Sequence, residues 1–280
     1  MTETLTRARA VRTREPRVSV VIPTYNEAEN LPHVFAELPL DLHEVIVVDG
    51  HSVDDTIRVA RHLRRDVRVV MQTRRGKGNA MACGFAVATG DIIVMLDADG
   101  SADPAEIQRF VDALVEGADF AKGTRFVRGA GSNDITPLRR AGNWVLNGLV
   151  NRLYGTDYTD LCYGYNAFWR HCLPKLSLHP GPAADEKRWG DGFEIETIIN
   201  TRVARAGLVV REVPSYERPR IHGESNLNTI RDGFRVLRAI AEERRRSVAE
   251  LNRPRAIVPD VIDLTGPRII DLTSNASVAS

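Results

Sequence analysis

Short runs of apolar, mostly β-branched residues alternate with amphipathic stretches over the first 120 residues of the chain. The apolar runs lie at 18–22, 44–48, 67–71 and 92–96, and stretches with helical spacing follow near 27–38, 54–63, 78–88 and 104–116. Strands and helices joined by such short connections are typical of a mostly parallel sheet with helices on both faces. The pattern therefore predicts an α/β fold.

The alternation of apolar runs and amphipathic stretches is less regular after Glu116. It predicts strands at 120–126, 163–169 and 208–213, and helices at 138–153, 193–206 and 227–250. The tail repeats itself once, as VIDLT at 261–265 and IIDLT at 269–273. We expect disorder there, rather than edge strands, because the repeat is short and terminal. The predicted organisation is a basic flexible arm (1–17), one α/β domain (18–226), a C-terminal amphipathic helix (227–250) and a disordered tail (251–280).

The composition indicates which partners and which compartment fit the protein. The 38 Lys and Arg residues nearly balance the 37 Asp and Glu residues, so no nucleic-acid partner is expected. Three scattered cysteines fit reduced thiols in a cytoplasmic protein better than a disulfide framework. No secretory signal and no apolar run of about 18 residues is present. The arm carries five arginines, and is either a solvated tail or a contact with a membrane surface.

Polar residues follow four of the predicted strands. They lie at 24–27, 49–52, 74–78 and 97–99. The carboxyl ends of parallel strands meet at one edge of a sheet, and ligands bind there. Each group alone could be a helix cap, but four at one edge favour a ligand site.

Asp97 and Asp99 end the most apolar of these strands, where two carboxylates repel each other unless a positive partner is present. Carboxylate oxygens are the ligands that Mg²⁺ and Mn²⁺ prefer, and such an ion keeps positions for phosphate oxygens. The pair therefore predicts a metal site. Lys77, in a glycine-rich stretch, either meets a pyrophosphate or belongs to a tight turn. That stretch lacks the Gly-Lys-Ser/Thr ending of a P-loop, and no Gly-x-Gly-x-x-Gly follows the first strand.

Several segments, in order and spacing, resemble the family 2 inverting glycosyltransferases of GT-A fold, which is Rossmann-like. They are VIPTYNEAENL, VIVVDGHSVDDT, RRGKGNAMACGFAVATGD, IIVMLDADGSADP, GTRF and EVPSYERPRIHGESN. Within the family the chain is similar to dolichol-phosphate and polyprenyl-phosphate mannosyl- or glucosyltransferases of the type without C-terminal transmembrane helices. The resemblance implies transfer of a hexose from a donor of the GDP-mannose or UDP-glucose type to a polyprenyl phosphate. The acceptor implies peripheral contact with the cytosolic membrane face.

The resemblance also implies roles for residues. We predict donor contacts for Pro23, Tyr25, Glu27, Asp49, Ser52, Lys77, Asp97, Ala98 and Asp99, acceptor-phosphate contacts for Arg125, Arg139 and Arg140, and catalytic roles for Asp97, Asp99, Arg125, Asp191 and Arg220. Gly50 and His51 stand where the family often has Asp and Gly, which leaves the nucleobase open. Ser101 replaces a frequent Gln, and Asn226 replaces a terminal Lys.

The acceptor chemistry leaves alternatives. A phosphate acceptor is already an anion, so arginines rather than a general base would serve it. A hydroxyl acceptor would need a carboxylate base, for which Asp191 and Glu194 are candidates, although Asp191 could instead cap a helix. A non-catalytic sugar-nucleotide-binding scaffold is a third interpretation. The basic amphipathic segments 138–154 and 227–246 either lie in a membrane interface or pack on the core.

Overall fold

The computed structural model describes residues 15–181, 189–223, 229–246 and 262–263. Most of the predicted arm at 1–17 and of the predicted tail at 251–280 therefore lies outside the described residues. So does the second copy of the tail repeat, at 269–273.

Strands and helices alternate along the described residues, largely as the pattern predicts. The strands are β1 (Val18–Thr24), β2 (Glu44–Asp49), β3 (Arg68–Met71), β4 (Ile92–Met95), β5 (Phe120–Thr124), β6 (Gly131–Ser132), β7 (Asn166–Trp169), β8 (Val210–Pro214), β9 (Tyr216–Glu217) and β10 (Ile262–Asp263). The α-helices are α1 (Leu31–Glu37), α2 (Thr56–Leu63), α3 (Lys77–Val87), α4 (Ile107–Val115), α5 (Pro137–Tyr154), α6 (Leu173–Leu176), α7 (Ile195–Arg205) and α8 (Thr229–Arg245).

The main sheet has the strand order β10-β3-β2-β1-β4-β7-β5-β8. Strands β3, β2, β1 and β4 are parallel, and β8 is parallel to β5. Strand β7 runs antiparallel between β4 and β5, and β10 is antiparallel to β3. A second, two-stranded sheet pairs β6 with β9. The predicted mostly parallel α/β sheet is confirmed.

Burial of the central strands shows why they are apolar throughout. Every residue of β2 and of β4 is buried, so helices cover both faces of the sheet. Helix α3 packs closely on β1 because residue 84 is glycine. A Cβ atom there would lie 2.3 Å from Val21 Cγ1. The close contact of α3 with β1 and β2 fixes its first residue, Lys77, at the carboxyl edge of the sheet.

Several element boundaries differ from the prediction. Strand β5 ends at Thr124, because Arg125 turns into an ion-pair network, and β7 begins only at Asn166. The helix predicted from 104 opens with a 3-10 turn over Pro104–Glu106, where Asp103 accepts a hydrogen bond from the Ala105 amide. In the first copy of the tail repeat, Ile262–Asp263 form the edge strand β10, where we expected disorder.

Helices α5 and α8 form a second hydrophobic cluster beside the sheet. Its buried members are Leu146, Val150, Tyr158, Leu161, Val236 and Ile240. The opposite faces remain apolar and exposed, at Leu138, Trp144 and Val145 of α5 and at Phe234 and Leu237 of α8. The predicted C-terminal amphipathic helix is thus present and packed through one face.

A buried carboxylate ties three strands together at the amino end of the sheet. Glu44 accepts hydrogen bonds from the Ser19 hydroxyl at 2.6 Å and the Thr89 amide at 2.6 Å, and Arg68 Nη1 lies 3.0 Å away. Burial would raise the pKa of Glu44, but these donors outweigh it and lower the pKa to about 2.

We expect Glu44→Gln to lower the free energy of unfolding by about 3 kcal/mol at pH 7. Because the folded-state pKa is depressed, the carboxylate's contribution is fully present above about pH 4.5 and is lost as the pH falls through about 2. Urea unfolding of both proteins from pH 7 to pH 2.5 measures the difference. Glu116→Gln, in an exposed pair with Arg211, is the control and should change stability by less than about 1 kcal/mol. A difference independent of pH would contradict the assignment.

Candidate active site

The loops after β1 and β2 are joined by side-chain hydrogen bonds. Asp49 is fully buried and accepts hydrogen bonds from the amide and the hydroxyl of Ser52, at 2.8 and 2.7 Å. The Ser52 hydroxyl in turn accepts one from the Asn26 amide at 2.9 Å, and Thr56 accepts one from the Glu27 amide at 2.9 Å. Asp49 and Ser52 therefore build a rigid loop pair, while Tyr25 is exposed at its rim.

His51 has a left-handed backbone, with φ at 65°. That region favours glycine, which the family often has at this position. The ring nitrogen Nε2 of His51 lies 3.1 Å from the Gln72 carbonyl oxygen. The departure from the family pattern is thus accommodated by a contact to the chain after β3.

Lys77 joins two carboxylates at the carboxyl edge of the sheet. Its Nζ lies 2.7 and 2.9 Å from the two carboxylate oxygens of Asp97 and 2.7 Å from Glu196 Oε1. Burial alone would lower the pKa of Lys77, but the two carboxylates outweigh it and hold the pKa above its ordinary value. Burial also raises the pKa of Glu196, and Lys77 offsets this only in part. The ammonium is thus a fixed positive charge beside Asp97.

Arg220 joins the other half of the Asp97–Asp99 motif to the β1–α1 loop. One guanidinium nitrogen lies 3.3 Å from Asp99 Oδ2, and the other lies 3.1 Å from Glu27 Oε1. Burial raises the pKa of Glu27, which Asn30 and Arg220 oppose. Asp99 also accepts hydrogen bonds from the amide and the hydroxyl of Ser101, at 3.0 and 2.6 Å. Ser101 therefore orients Asp99.

The charges in this cluster do not balance. The cluster contains four carboxylates, of Glu27, Asp97, Asp99 and Glu196, but two cations, Lys77 and Arg220. Two negative charges remain when all four carboxylates are ionised. One divalent cation neutralises them, and carboxylate oxygens suit Mg²⁺ and Mn²⁺. The residues present therefore fit the predicted metal ion, which Asp97 and Asp99 would hold.

Arg220 lies on a segment, residues 215–223, that contacts the Asp97–Asp99 motif; we call it the closing segment. The Arg218 amide donates to the Ser101 carbonyl at 2.8 Å, and the Ile221 amide donates to the Asp99 carbonyl at 3.2 Å. Gly100 has φ of 75°, and a Cβ atom there would lie 2.5 Å from Ile221 Cδ1. Glycine at 100 thus lets the closing segment lie directly on the motif.

Arg125, predicted to bind the acceptor phosphate, is engaged with two carboxylates. Its guanidinium lies 2.7 Å from Asp160 and 2.9 Å from Glu217, and 4.7 Å from the centre of the Tyr163 ring. Burial would lower the pKa of Arg125, but these carboxylates outweigh it and raise the pKa above its ordinary value. A direct phosphate contact would require breaking these pairs. The arrangement instead supports Arg125 as an anchor for Glu217 in the closing segment.

Arg139 and Arg140 lie in the first turn of α5, whose N-cap Thr136 accepts a hydrogen bond from the Arg139 amide. The Arg139 guanidinium lies 3.6 Å from Asp134. Arg140 is exposed, and its guanidinium lies 5.6 Å from the Phe126 ring centre. Helix N-termini and arginines both favour anions, so this turn is the more accessible of the two predicted phosphate-binding groups.

Asp191 is neither a helix cap nor an open carboxylate. Both of its oxygens lie 2.8 Å from Arg74, and both side chains are buried. Helix α7 begins four residues later at Ile195, and its N-cap Glu194 makes no capping hydrogen bond. The carboxylate of Asp191 is held by the ion pair with Arg74, and its catalytic role stays a prediction.

Glu194, the second candidate base, is buried and is bound by backbone amides. Its Oε1 accepts hydrogen bonds from the amides of Gly190 and Gly192, at 3.2 and 3.3 Å. Its Oε2 is buried with no hydrogen-bond partner among the described residues. The carboxylate of this segment that reaches Lys77 and Asp97 is Glu196, which we did not single out from the sequence.

Comparison with known proteins identifies the family. The family model described as glycosyl transferase family 2 matches residues 19–176, more than half of the chain. The chain belongs to glycosyltransferase family 2.

The alignments of this family 2 glycosyltransferase with its relatives cover different shares of each relative's length. It is 33% identical to glycosyltransferase AglJ of Haloferax volcanii, over 77% of this chain and 68% of that protein. It is 32% identical to a dolichol-phosphate mannosyltransferase of Pyrococcus furiosus, over 75% of this chain and 59% of that protein. It is 37% identical to a polyprenol monophosphomannose synthase of Mycolicibacterium smegmatis, over 71% of this chain and 76% of that protein.

Solved structures share the fold of this glycosyltransferase. The glucosyl-3-phosphoglycerate synthase of Mycobacterium tuberculosis, in complex with phosphoglyceric acid, aligns with a TM-score of 0.63 at 23% identity. The alignment covers 81% of this chain and 80% of that one. The predicted GT-A fold is confirmed. Within the described part of the glycosyltransferase, no helix combines the length and apolar character needed to cross a membrane.

Sequence reasoning about this glycosyltransferase missed the ion-pair partners of its site. Glu196, Arg74, Asp160 and Glu217 were not singled out, although each pairs with a predicted site residue. One signal was available for Glu196, since it is an acidic residue between Ile195 and Ile198 in the first turn of α7. No spacing rule links it to Lys77, because the two are far apart in the chain.

Proposed function

We propose that this family 2 glycosyltransferase moves a hexose from a GDP- or UDP-linked donor to a polyprenyl phosphate, with Mg²⁺ or Mn²⁺ bound by Asp97 and Asp99. The observation that carries the proposal is the cluster at the carboxyl edge of the sheet, whose four carboxylates exceed its two cations by two charges. The relatives named as dolichol-phosphate mannosyltransferase and polyprenol monophosphomannose synthase support a lipid-phosphate acceptor.

The donor side depends on neutralising a leaving diphosphate. A dication at Asp97 and Asp99 would act as the Lewis acid for that leaving group. Arg220 and Lys77 flank the two aspartates and add fixed positive charge on either side of the motif. Tyr25 and Pro23, at the rim of the joined loops, would contact the nucleoside. Ala98, which is buried between the two aspartates, would contact the donor through its backbone.

The acceptor side favours an anion over a hydroxyl. Asp191 is paired with Arg74, Glu194 is bound by backbone amides, and Glu196 is paired with Lys77. Two of these carboxylates are held in ion pairs and the third is buried, so none is an exposed general base. A phosphate nucleophile needs no base, and Arg139 and Arg140 at the start of α5 suit it.

The membrane surface is the proposed location of the acceptor. Helix α5 carries exposed Leu138, Trp144 and Val145 next to Arg139 and Arg140, and α8 adds exposed Phe234. Apolar side chains beside arginines are typical of helices that lie on an anionic lipid surface. These side chains support our proposal that the protein binds peripherally to the cytosolic membrane face.

The test is transfer of labelled sugar into lipid. Purified protein, polyprenyl phosphate in vesicles, and a panel of GDP- and UDP-sugars are incubated with Mg²⁺ or Mn²⁺, and the organic phase is counted. We expect label from one donor, reduced more than about tenfold by EDTA. Unphosphorylated polyprenol is the matched acceptor control and should remain unlabelled. Labelling of polyprenol or of water-soluble acceptors, with lipid phosphate unlabelled, would overturn the proposed acceptor.

A further inference from the structure

Lys77 and the proposed metal ion share one ligand. Both oxygens of Asp97 lie within 2.9 Å of Lys77 Nζ, so an ammonium and a dication would compete for the same carboxylate. The side chain of Lys77 is 13% exposed. A buried ammonium that lost Asp97 without another anion would cost several kcal/mol in desolvation.

Glu196 is the second anion. Its Oε1 lies 2.7 Å from Lys77 Nζ, and its side chain is 6% exposed. The ammonium therefore pairs with two carboxylates at once, those of Asp97 and Glu196. Lys77 can release Asp97 and still remain paired.

The surroundings restrict where the ammonium can go. A Cβ atom at Gly164 would lie 2.9 Å from Lys77 Nζ, 3.1 Å from Glu196 Oε1 and 3.4 Å from Asp97 Oδ2. The backbone at 164 thus forms one wall of the site around all three groups. The ammonium therefore cannot move toward the backbone at 164 without a close contact.

We propose that Glu196 is a positioning residue that holds Lys77 when Asp97 turns to the metal ion. Binding of the dication then does not leave the buried ammonium unpaired. The inference rests on the metal site of the proposed function and deepens it. It gives Glu196 the role of pairing the Lys77 ammonium while the metal ion binds Asp97, rather than the role of a general base. Lys77, once shifted to Glu196, remains beside the metal as a fixed charge for the donor diphosphate.

The experiment measures binding of Mn²⁺ alone to the full chain, by titration calorimetry, in a double-mutant cycle of Lys77→Met and Glu196→Gln. With Lys77 present, Glu196→Gln should weaken Mn²⁺ binding about tenfold or more, because the ammonium then stays on Asp97. In the Lys77→Met background the same change should alter the affinity by less than about threefold. Equal weakening in both backgrounds would mean that Glu196 acts as an independent charge, which overturns the proposal.

A matched control separates this effect from folding. Glu243 is fully buried in a pair with Arg202 at 2.8 Å, so Glu243→Gln removes the same charge from a comparable pair at another position. It should lower the thermal stability and leave Mn²⁺ affinity unchanged. A matching loss of Mn²⁺ affinity in Glu243→Gln would assign the Glu196 effect to folding and overturn the proposal. Wild-type protein that binds no Mn²⁺ would refute the proposed metal site itself, whereas Mn²⁺ binding without coupling refutes the role of Glu196.

Discussion

Asp99→Asn should lower the rate of metal-dependent sugar transfer by about 10³-fold. The amide removes one of the four negative charges of the cluster and replaces a strong oxygen ligand by a neutral one. Asp99 is also the residue that Arg220 of the closing segment contacts at 3.3 Å. The substitution would therefore weaken both the proposed metal site and the contact with Arg220, while Ser101 can still hydrogen-bond to the amide oxygen.

Initial rates of nucleoside diphosphate release, with saturating Mn²⁺ and with lipid acceptor, measure this effect. Asp112→Asn makes the same chemical change on the exposed surface of α4, and should keep the wild-type rate. Mn²⁺ titration should show weaker binding for Asp99→Asn and none of this weakening for Asp112→Asn. A folded Asp99→Asn protein with more than about a tenth of the wild-type rate would rule out the metal role of Asp99.

Asp191→Asn should lower the free energy of unfolding by about 3 to 5 kcal/mol. The substitution leaves the guanidinium of Arg74 buried without its two charge-assisted hydrogen bonds. Arg74 also donates to the Pro180 carbonyl, so one substitution loosens the segment before α7 at two places. The backbone of Asp191 also holds the first turn of α3, because the Gly78 amide donates to the Asp191 carbonyl at 2.9 Å.

Urea denaturation of Asp191→Asn, Arg74→Gln and the double variant measures the interaction energy of this ion pair. It separates that energy from the other contacts that each residue makes. The double variant should lose about 2 kcal/mol less unfolding free energy than the two single variants lose together, because it leaves neither charge unpaired. Transfer rates corrected for the folded fraction should stay within about tenfold of wild type. Full stability combined with a rate loss of about 10³-fold would instead identify Asp191 as a general base and favour a hydroxyl acceptor.

The sequence predicts the parts of the molecule that follow local rules. Strands β2 and β4 read as continuous apolar runs because both of their faces are buried. Asp97 and Asp99 follow β4 directly, so strand order alone brings them to the ligand-binding edge. Their side chains, Lys77 and Arg220 do meet there, as the order of the motifs implies.

The sequence does not predict which charges pair across the fold. Arg74 and Asp191 lie 117 positions apart in the chain, and Arg125 and Glu217 lie 92 positions apart. A basic residue at a strand end is equally compatible with a phosphate ligand and with a distant carboxylate. Tertiary contacts decide between the two, and they pair Arg125 with Asp160 and Glu217.

The position of β7 has a consequence for biosynthesis. Strand β4 is an inner strand only because β7 pairs with it, and β7 is encoded about 70 residues later. At about 5 to 20 residues per second, a ribosome needs roughly 4 to 14 seconds to make that stretch. During this interval the most apolar strand of the nascent chain has an unpaired edge, the kind of surface that templates aggregation and that chaperones protect.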